Sequence, residues 1–202
     1  MLAQIRPAIV LLVLFSVLTG LVYPLAITGV AQLAFAKRAN GSLVYIDGKP
    51  VGSSLIGQNF AADKYFHSRP SATQAQDPAH PDDPSKTIDA PYNAANSTGS
   101  NLGPTSQKLI DRITADVKAK HDAGWSGPIP ADAVTTSASG LDPDISPTNA
   151  LMQVPAVAKA RGLSEDAVRA LVQSHIKGRL AGVFGEPRVN VLKLNMALDA
   201  TK

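Results

Sequence analysis

The sequence predicts a single N-terminal transmembrane helix followed by one soluble α+β domain. Three observations carry this expectation. Residues 7–36 contain no Asp, Glu, Lys, Arg or His. From Lys37 onward the composition turns polar, with a Pro-rich stretch at 77–91. A hairpin signal, then helical patterns with good caps, then a late apolar alternation follow in that order, which is the mark of an α+β arrangement. The expected division is therefore 1–36 for the tail and helix and 37–202 for the soluble domain.

The densest apolar run is AIVLLVLFSVLTGLVY, from Ala8 to Tyr23. A helix needs roughly 20 residues to cross about 30 Å of hydrocarbon, and the uncharged run exceeds that. The Ile, Val, Leu and Phe residues between Ile9 and Val22, at about −0.5 kcal/mol each, favour insertion by roughly 5 kcal/mol. Pro24 removes one helical N–H, so a kink or irregular turn is expected there. Gly20 and Gly29, with Thr19 and Thr28, offer small surfaces where another helix can pack closely. A cleaved signal peptide is the competing pattern, with Arg6 as its basic region and Ala34-Phe35-Ala36 as a small-x-small site. The apolar block is too long for that and runs too far before the site. Orientation stays open: Arg6 faces Lys37, Arg38 and Lys49 across the span, but long domains are translocated largely regardless of charge.

In the polar part, Leu43 to Val51 reads as a strand, an Asp47-Gly48 turn and a second strand reaching Ile56. Pro50 places that second strand at a sheet edge. Residues 77–91 contain Pro78, Pro81, Pro84 and Pro91 and are expected to form a long exposed loop without regular structure. Thr105 or Ser106 starts a helix to about Asp122, with Leu109, Ile113 and Val117 on one face and Gly124 as its stop. Ser146-Pro147 opens a helix that ends at Gly162, with Pro155 expected to bend it or shift its start. Ser164 caps the next helix, with Leu163 and Val168 as a hydrophobic staple. Arg188 to Asn195 (RVNVLKLN) reads as a closing strand.

Composition excludes several chemistries. The chain has no cysteine, which removes disulfides, a thiol nucleophile and a Cys-ligated zinc site. A formal charge of +3 over 202 residues gives no footprint for nucleic acid. Gly52 to Gly57 (GSSLIG) has Walker-A glycine spacing, but Gln58-Asn59 follows where Lys and Ser/Thr are required. The histidines His67, His80, His121 and His175 are scattered without ligand spacing, so no metal site is expected. Asp142 and Asp144, in GLDPDISP, are the nearest approach to paired carboxylates. Their plain role is to shape a Pro-containing turn and to favour the N-terminus of the next helix. Arg69 and Arg188 are loop arginines that meet either a partner's carboxylate or one in this domain. Asn101 and Asn190 read as turn and strand residues. No catalytic residue emerges.

The loop motifs together point to a family. They are LIGQNF (Leu55–Phe60), YFHSRPSA (Tyr65–Ala72), SNLGP (Ser100–Pro104), SGLDPDISP (Ser139–Pro147), AKARGL (Ala158–Leu163) and GEPRVNVLKLNMALD (Gly185–Asp199). With these in order behind one N-terminal span, the chain resembles the C subunit of the Kdp-type potassium-transporting ATPase over essentially its whole length. Two departures are visible: Asp144 stands where the family usually has His, and Ser97-Thr98-Gly99-Ser100 replaces the commoner Ser-Gly-Gly-Ser.

The resemblance implies a complex in the bacterial cytoplasmic membrane that hydrolyses ATP in a P-type subunit and moves potassium through a channel-like subunit. This chain has neither an Asp-Lys-Thr-Gly phosphorylation motif nor a selectivity-filter sequence, so both tasks are expected to belong to partners. Its own part would be accessory: stabilising the assembly and acting as a catalytic chaperone that raises the ATP affinity of the pump subunit. The resemblance also implies a soluble domain outside the membrane, where an effect on ATP must be indirect. For direct contact with a phosphate, Ser139 and Gly140 in the Ser137–Gly140 loop are the candidates, although such loops are ordinarily turns. Gly20, Pro24, Arg69, Asn101, Asp142 and Arg188 are the candidate interface residues. An anchored extracytoplasmic ligand-binding module is the alternative, and a secreted enzyme released at Ala36 is a third class.

Overall fold

An uncharged run of this length has no water-compatible surface, and it folds as one helix, Ile5–Ala39, with no residue buried within the chain. The computed structural model describes residues 2–201. They form two units that divide between Ser53 and Ser54.

The first unit begins with helix α1 (Ile5–Val17), continues through a π-turn (Leu18–Val22) and goes on as α2 (Tyr23–Ala39). At about 1.5 Å per residue the whole helix is roughly 50 Å long, more than a hydrocarbon core requires. The π-turn is the physical answer to Pro24. The proline ring would strike the carbonyl four residues back, and the wider turn just before it, with Tyr23 N–H bonding Leu18 O, makes room without ending the helix. The irregularity therefore lies in the turn before Pro24. A second break falls at Phe35 (φ −138°, ψ 36°). Beyond it Asn40 closes the helix, exchanging two amide bonds with Gln32 at 3.1 and 3.2 Å. Strands β1 (Leu43–Ile46) and β2 (Lys49–Ser53) then form the expected hairpin, with Asp47 and Gly48 both at positive φ as a two-residue turn requires. The second strand stops at Ser53, short of Ile56.

In the second unit the core is built by three helices and a small sheet. Helix α4 (Pro147–Arg161) starts where Ser146 Oγ accepts the Asn149 N–H, and ends at Gly162 in the left-handed region (φ 66°). Pro155 sits inside α4 without shifting its start. Helix α5 (Glu165–His175) is capped by Ser164, and Leu163 and Val168 both join the core. Strands β5 (Asp144–Ile145), β6 (Ile176–Lys177) and β7 (Arg188–Asn190) form an antiparallel sheet in the order β5-β7-β6. Phe66, Ile145, Val154, Val172, Val189 and Leu194 are among the side chains that fill the space between them. Helix α3 (Gln107–Asp122) starts after Ser106 as expected, but Leu109, Ile113 and Val117 are only half-buried.

Two expectations are corrected. Arg188 to Asn195 is not one strand: β7 ends at Asn190, and helix α6 (Val191–Ala200) follows. Asn190 Oδ1 accepts the Lys193 N–H at 3.1 Å, a side-chain cap that turns the chain from strand to helix. Leu194 and Leu198 then lie on the same buried face as Val191. The Pro-rich stretch is also not wholly irregular. Residues Thr87–Asp89 form β4, which pairs antiparallel with β3 (Gln74–Gln76). The prolines Pro78, Pro81 and Pro84 lie in the loop between these strands, where no ladder N–H is needed.

Candidate functional site

Four of the motif segments, those containing Gln58, Asp142, Arg161 and Asn195, meet the YFHSRPSA segment (65–72) at its backbone and side chains, and two helices hold that segment by its backbone. Asn195 of α6 accepts the Phe66 N–H with Oδ1 and donates to Phe66 O with Nδ2, both at 2.9 Å. Gln153 of α4 does the same to His67, accepting its N–H at 2.7 Å and donating to its carbonyl at 3.1 Å. A side-chain amide that binds both groups of one residue replaces a strand partner, so the segment stays extended between helices without a sheet. Gln153 also donates to Asn149 Oδ1 at 2.9 Å, and Asn149 donates to Asp132 Oδ2 at 3.0 Å. Asp132 accepts in addition from the Ser146 N–H and hydroxyl at 2.7 and 2.9 Å. The start of α4 is thereby tied to the turn Ala131–Ala133.

Arg69 follows directly. Its guanidinium bonds Asp142 Oδ2 at 3.0 Å and reaches Thr136 O at 3.3 Å and Thr135 Oγ1 at 3.4 Å. Asp142 Oδ1 accepts the Asp144 N–H at 3.0 Å, closing the turn of the DPDISP stretch. Asp144 meets Arg188 Nε at 2.9 Å and Asn190 Nδ2 at 3.1 Å, and Asn190 also donates to Ser54 O at 3.1 Å. Arg69 and Asp142 are thus brought together, and Arg188 joins Asp144 beside them. Both carboxylates are occupied by an arginine and an amide donor, which leaves them shaping loops rather than poised to move protons.

Gly57 lies against this cluster. A Cβ there would collide with the Tyr92 ring and stand 2.6 Å from Asp142 O. Tyr92 donates from its hydroxyl to Arg69 O at 2.8 Å, and burial pushes its phenol up to about 12. The raised value gives stability that is fully present below about pH 10 and is lost as pH rises from about 10 to about 12, because the unfolded chain ionises first. Replacing Tyr92 by Phe is expected to flatten that alkaline slope at a cost of about 1 kcal/mol at neutral pH from the lost hydrogen bond. Denaturant titrations of the full chain in detergent at neutral and alkaline pH check both effects.

The Ser137–Gly140 loop is a tight turn. Ser139 Oγ accepts the Leu141 N–H at 3.1 Å, Ser139 O accepts from Ser97 at 3.1 Å, and Gly140 O accepts from Ser71 at 2.8 Å. Gly140 has φ 66°, and a Cβ would stand 2.6 Å from both Thr73 Cγ2 and Thr98 O. Asn101 is exposed with φ 50°. Gly20 lies in the π-turn with open space around it, and Pro24 follows on the same exposed helix.

A cleft of about 520 Å³ is lined by Tyr65, His67, Lys120, Trp125, Gln153 and Val157, among others. The Lys120 ammonium stands 4.8 Å from the centre of the Trp125 ring, and burial holds its pKa below the ordinary lysine range. A second cleft of about 440 Å³ shares His67 and Lys120 and includes Arg69 and Tyr92. Among the described residues no group of three or more His, Asp or Glu side chains could hold a metal ion.

Sequence reasoning missed Asp132, Asn149, Gln153 and Asn195, which do most of the positioning. The available signal was polar residues at positions that the helical periodicity assigns to a buried face: Asn149 and Gln153 are four apart, and Asn195 lies between Leu194 and Leu198.

The comparisons with known proteins agree over the full chain. A family model described as "K+-transporting ATPase, c chain" matches residues 5–200. The chain is 63% identical over 202 residues to a protein of Rhodopseudomonas palustris (strain BisB18) named potassium-transporting ATPase KdpC subunit, with all of both chains covered. It is 61% identical over 201 residues to the protein of the same name from strain BisB5, covering all of this chain and 98% of that one. It is 59% identical over 199 residues to the one from Methylobacterium nodulans, covering 98% of each. A single apolar helix leading into an α+β domain, most of the motif loops gathered on the segment 65–72, and a match at this identity from end to end place the chain in the family of the c chain of the K+-transporting ATPase.

Proposed function

We propose that the chain is a non-catalytic accessory subunit of an ATP-driven potassium importer, and that its partners are a P-type ATPase subunit and a channel-like subunit in the same bacterial cytoplasmic membrane. The observation that supports this most is the exposed apolar helix Ile5–Ala39 in a chain whose full-length relatives are named as subunits. Such a helix has two uses, to hold the chain in lipid and to pack against other helices. Gly20, with open space around it, and Pro24 mark the surface proposed to meet the channel-like subunit.

The soluble domain is proposed to lie on the outer side. From there it cannot touch ATP, and any rise in the pump's ATP affinity comes from favouring one conformation of the complex. Ser139 and Gly140 would contact nucleotide only if the domain were cytoplasmic. Arg69, Asp142 and Arg188 contribute to an interface through the loop shapes that their ion pairs maintain, and Asn101 through its exposed turn. The alternative, an anchored module for an extracytoplasmic ligand, is favoured by the cleft beside Trp125.

Potassium-stimulated ATP hydrolysis tests the proposal. The isolated chain is expected to hydrolyse no ATP, and the complex lacking it is expected to lose most of its activity. Full activity without the chain, or hydrolysis by the chain alone, contradicts the proposal.

A further inference from the structure

The most exposed large apolar side chains of the soluble domain sit together on one loop. Leu180, Val183 and Phe184 are 75%, 72% and 69% exposed, between β6 and β7. The loop has a built shape. Leu180 and Phe184 exchange backbone bonds at 2.9 and 3.0 Å, and Arg179 closes the base with two bonds to Glu186 at 2.8 and 2.9 Å. Ala181, Gly182 and Gly185 all take positive φ to make the turn. The chain has therefore accepted a strained, ordered turn whose product is an apolar knob held out in water, and contiguous exposed apolar groups of this kind mark interaction sites.

We infer that this knob docks into an apolar recess of a sibling subunit of the same ATPase. The inference rests on the accessory-subunit reading above, and three observations choose this occupant. The chain belongs to a family whose members are named as subunits, so partner surfaces exist. Two of the three cations at the base of the knob are neutralised, Arg179 by Glu186 and Arg188 by Asp144, which leaves the exposed Lys177 of β6 as a single positive charge beside them. That removes most of the pull an anionic lipid surface exerts on bare Lys and Arg. Third, the three side chains present only a few hundred Å², short of the roughly 800 Å² that each copy contributes to a stable contact between two copies. A knob of this size works as an anchor where the membrane helix already holds the chain close to its partner.

The test uses the full chain, tagged at its C-terminus, in cells that make the whole complex. A photoreactive phenylalanine analogue is placed at Phe184, with Thr114 on the exposed face of α3 as control, and the adducts are identified by mass. A covalent adduct to another subunit of the ATPase from position 184, and none from 114, is expected. In parallel, Leu180→Ser with Phe184→Ser is expected to lower recovery of the other subunits about fivefold while the melting temperature is unchanged, and Phe184→Leu is expected to keep recovery. Adducts only to lipid, only to a second copy, or to nothing while the complex is recovered overturn the docking. Unchanged recovery of the double variant overturns it as well. If the unlabelled chain itself brings down no other subunit, the accessory-subunit reading fails first and the docking falls with it.

Discussion

Removing residues 9–22 is expected to abolish recovery of the potassium pump through this chain, with at least a tenfold loss, while the soluble domain still folds. The deleted segment carries most of the roughly 5 kcal/mol of insertion energy of the span. Without it the chain is no longer confined beside its partners, and whatever contact the domain makes must act at bulk concentration. The domain should be indifferent to the loss, since its buried side chains from Phe66 to Leu198 all belong to the second unit. A cooperative melt and unchanged far-ultraviolet dichroism check the folding, and affinity purification checks the association. Pro24→Leu serves as the companion: it keeps the apolar span and should disturb assembly much less. Normal recovery of the complex from the spanless chain would show that the helix is not the main docking surface.

The second large effect is on stability. Asn195 is 1% exposed and supplies both hydrogen bonds to the Phe66 backbone. Asn195→Ala strands a buried N–H and a buried carbonyl, each costing about 1–3 kcal/mol, so a loss of about 3–5 kcal/mol is expected. For a chain of this size that lowers the melting temperature by roughly 10 °C. Gln173→Ala, on the exposed face of α5, should change stability by less than about 0.5 kcal/mol. Thermal melts of the full-length variants in detergent measure both. A shift of only a degree or two for Asn195→Ala would mean that the segment 65–72 is not held by its backbone.

Local signals were legible wherever the chain carried its own start and stop. Ser106, Ser146 and Ser164 each precede a helix, Gly162 ends one, and Asp47-Gly48 makes a hairpin turn. RVNVLKLN was misread because Val189 and Val191 alternate like a strand, whereas Val191, Leu194 and Leu198 recur like a helix, and the cap at Asn190 decides between them. Residues Thr87–Asp89 are hidden by neighbouring prolines, although the strand needs only three of the six residues between Pro84 and Pro91. The candidate site was legible as a set of loops and not as a set of pairs. Arg69 and Asp142 lie 73 residues apart, and Asn195 lies 129 residues from Phe66. Sequence order carries no record of which distant groups meet; the packing of α5 on both α4 and α6, with β7 against all three, brings them together.

Native mass spectrometry of the complex, recovered in mild detergent through a C-terminal tag on this chain, tests the accessory role most directly. The expected result is one assembly that contains the intact 202-residue chain, a P-type ATPase subunit and a multi-span channel-like subunit in fixed ratio. Recovery of the chain alone, or of a form that begins after Ala36, would contradict it.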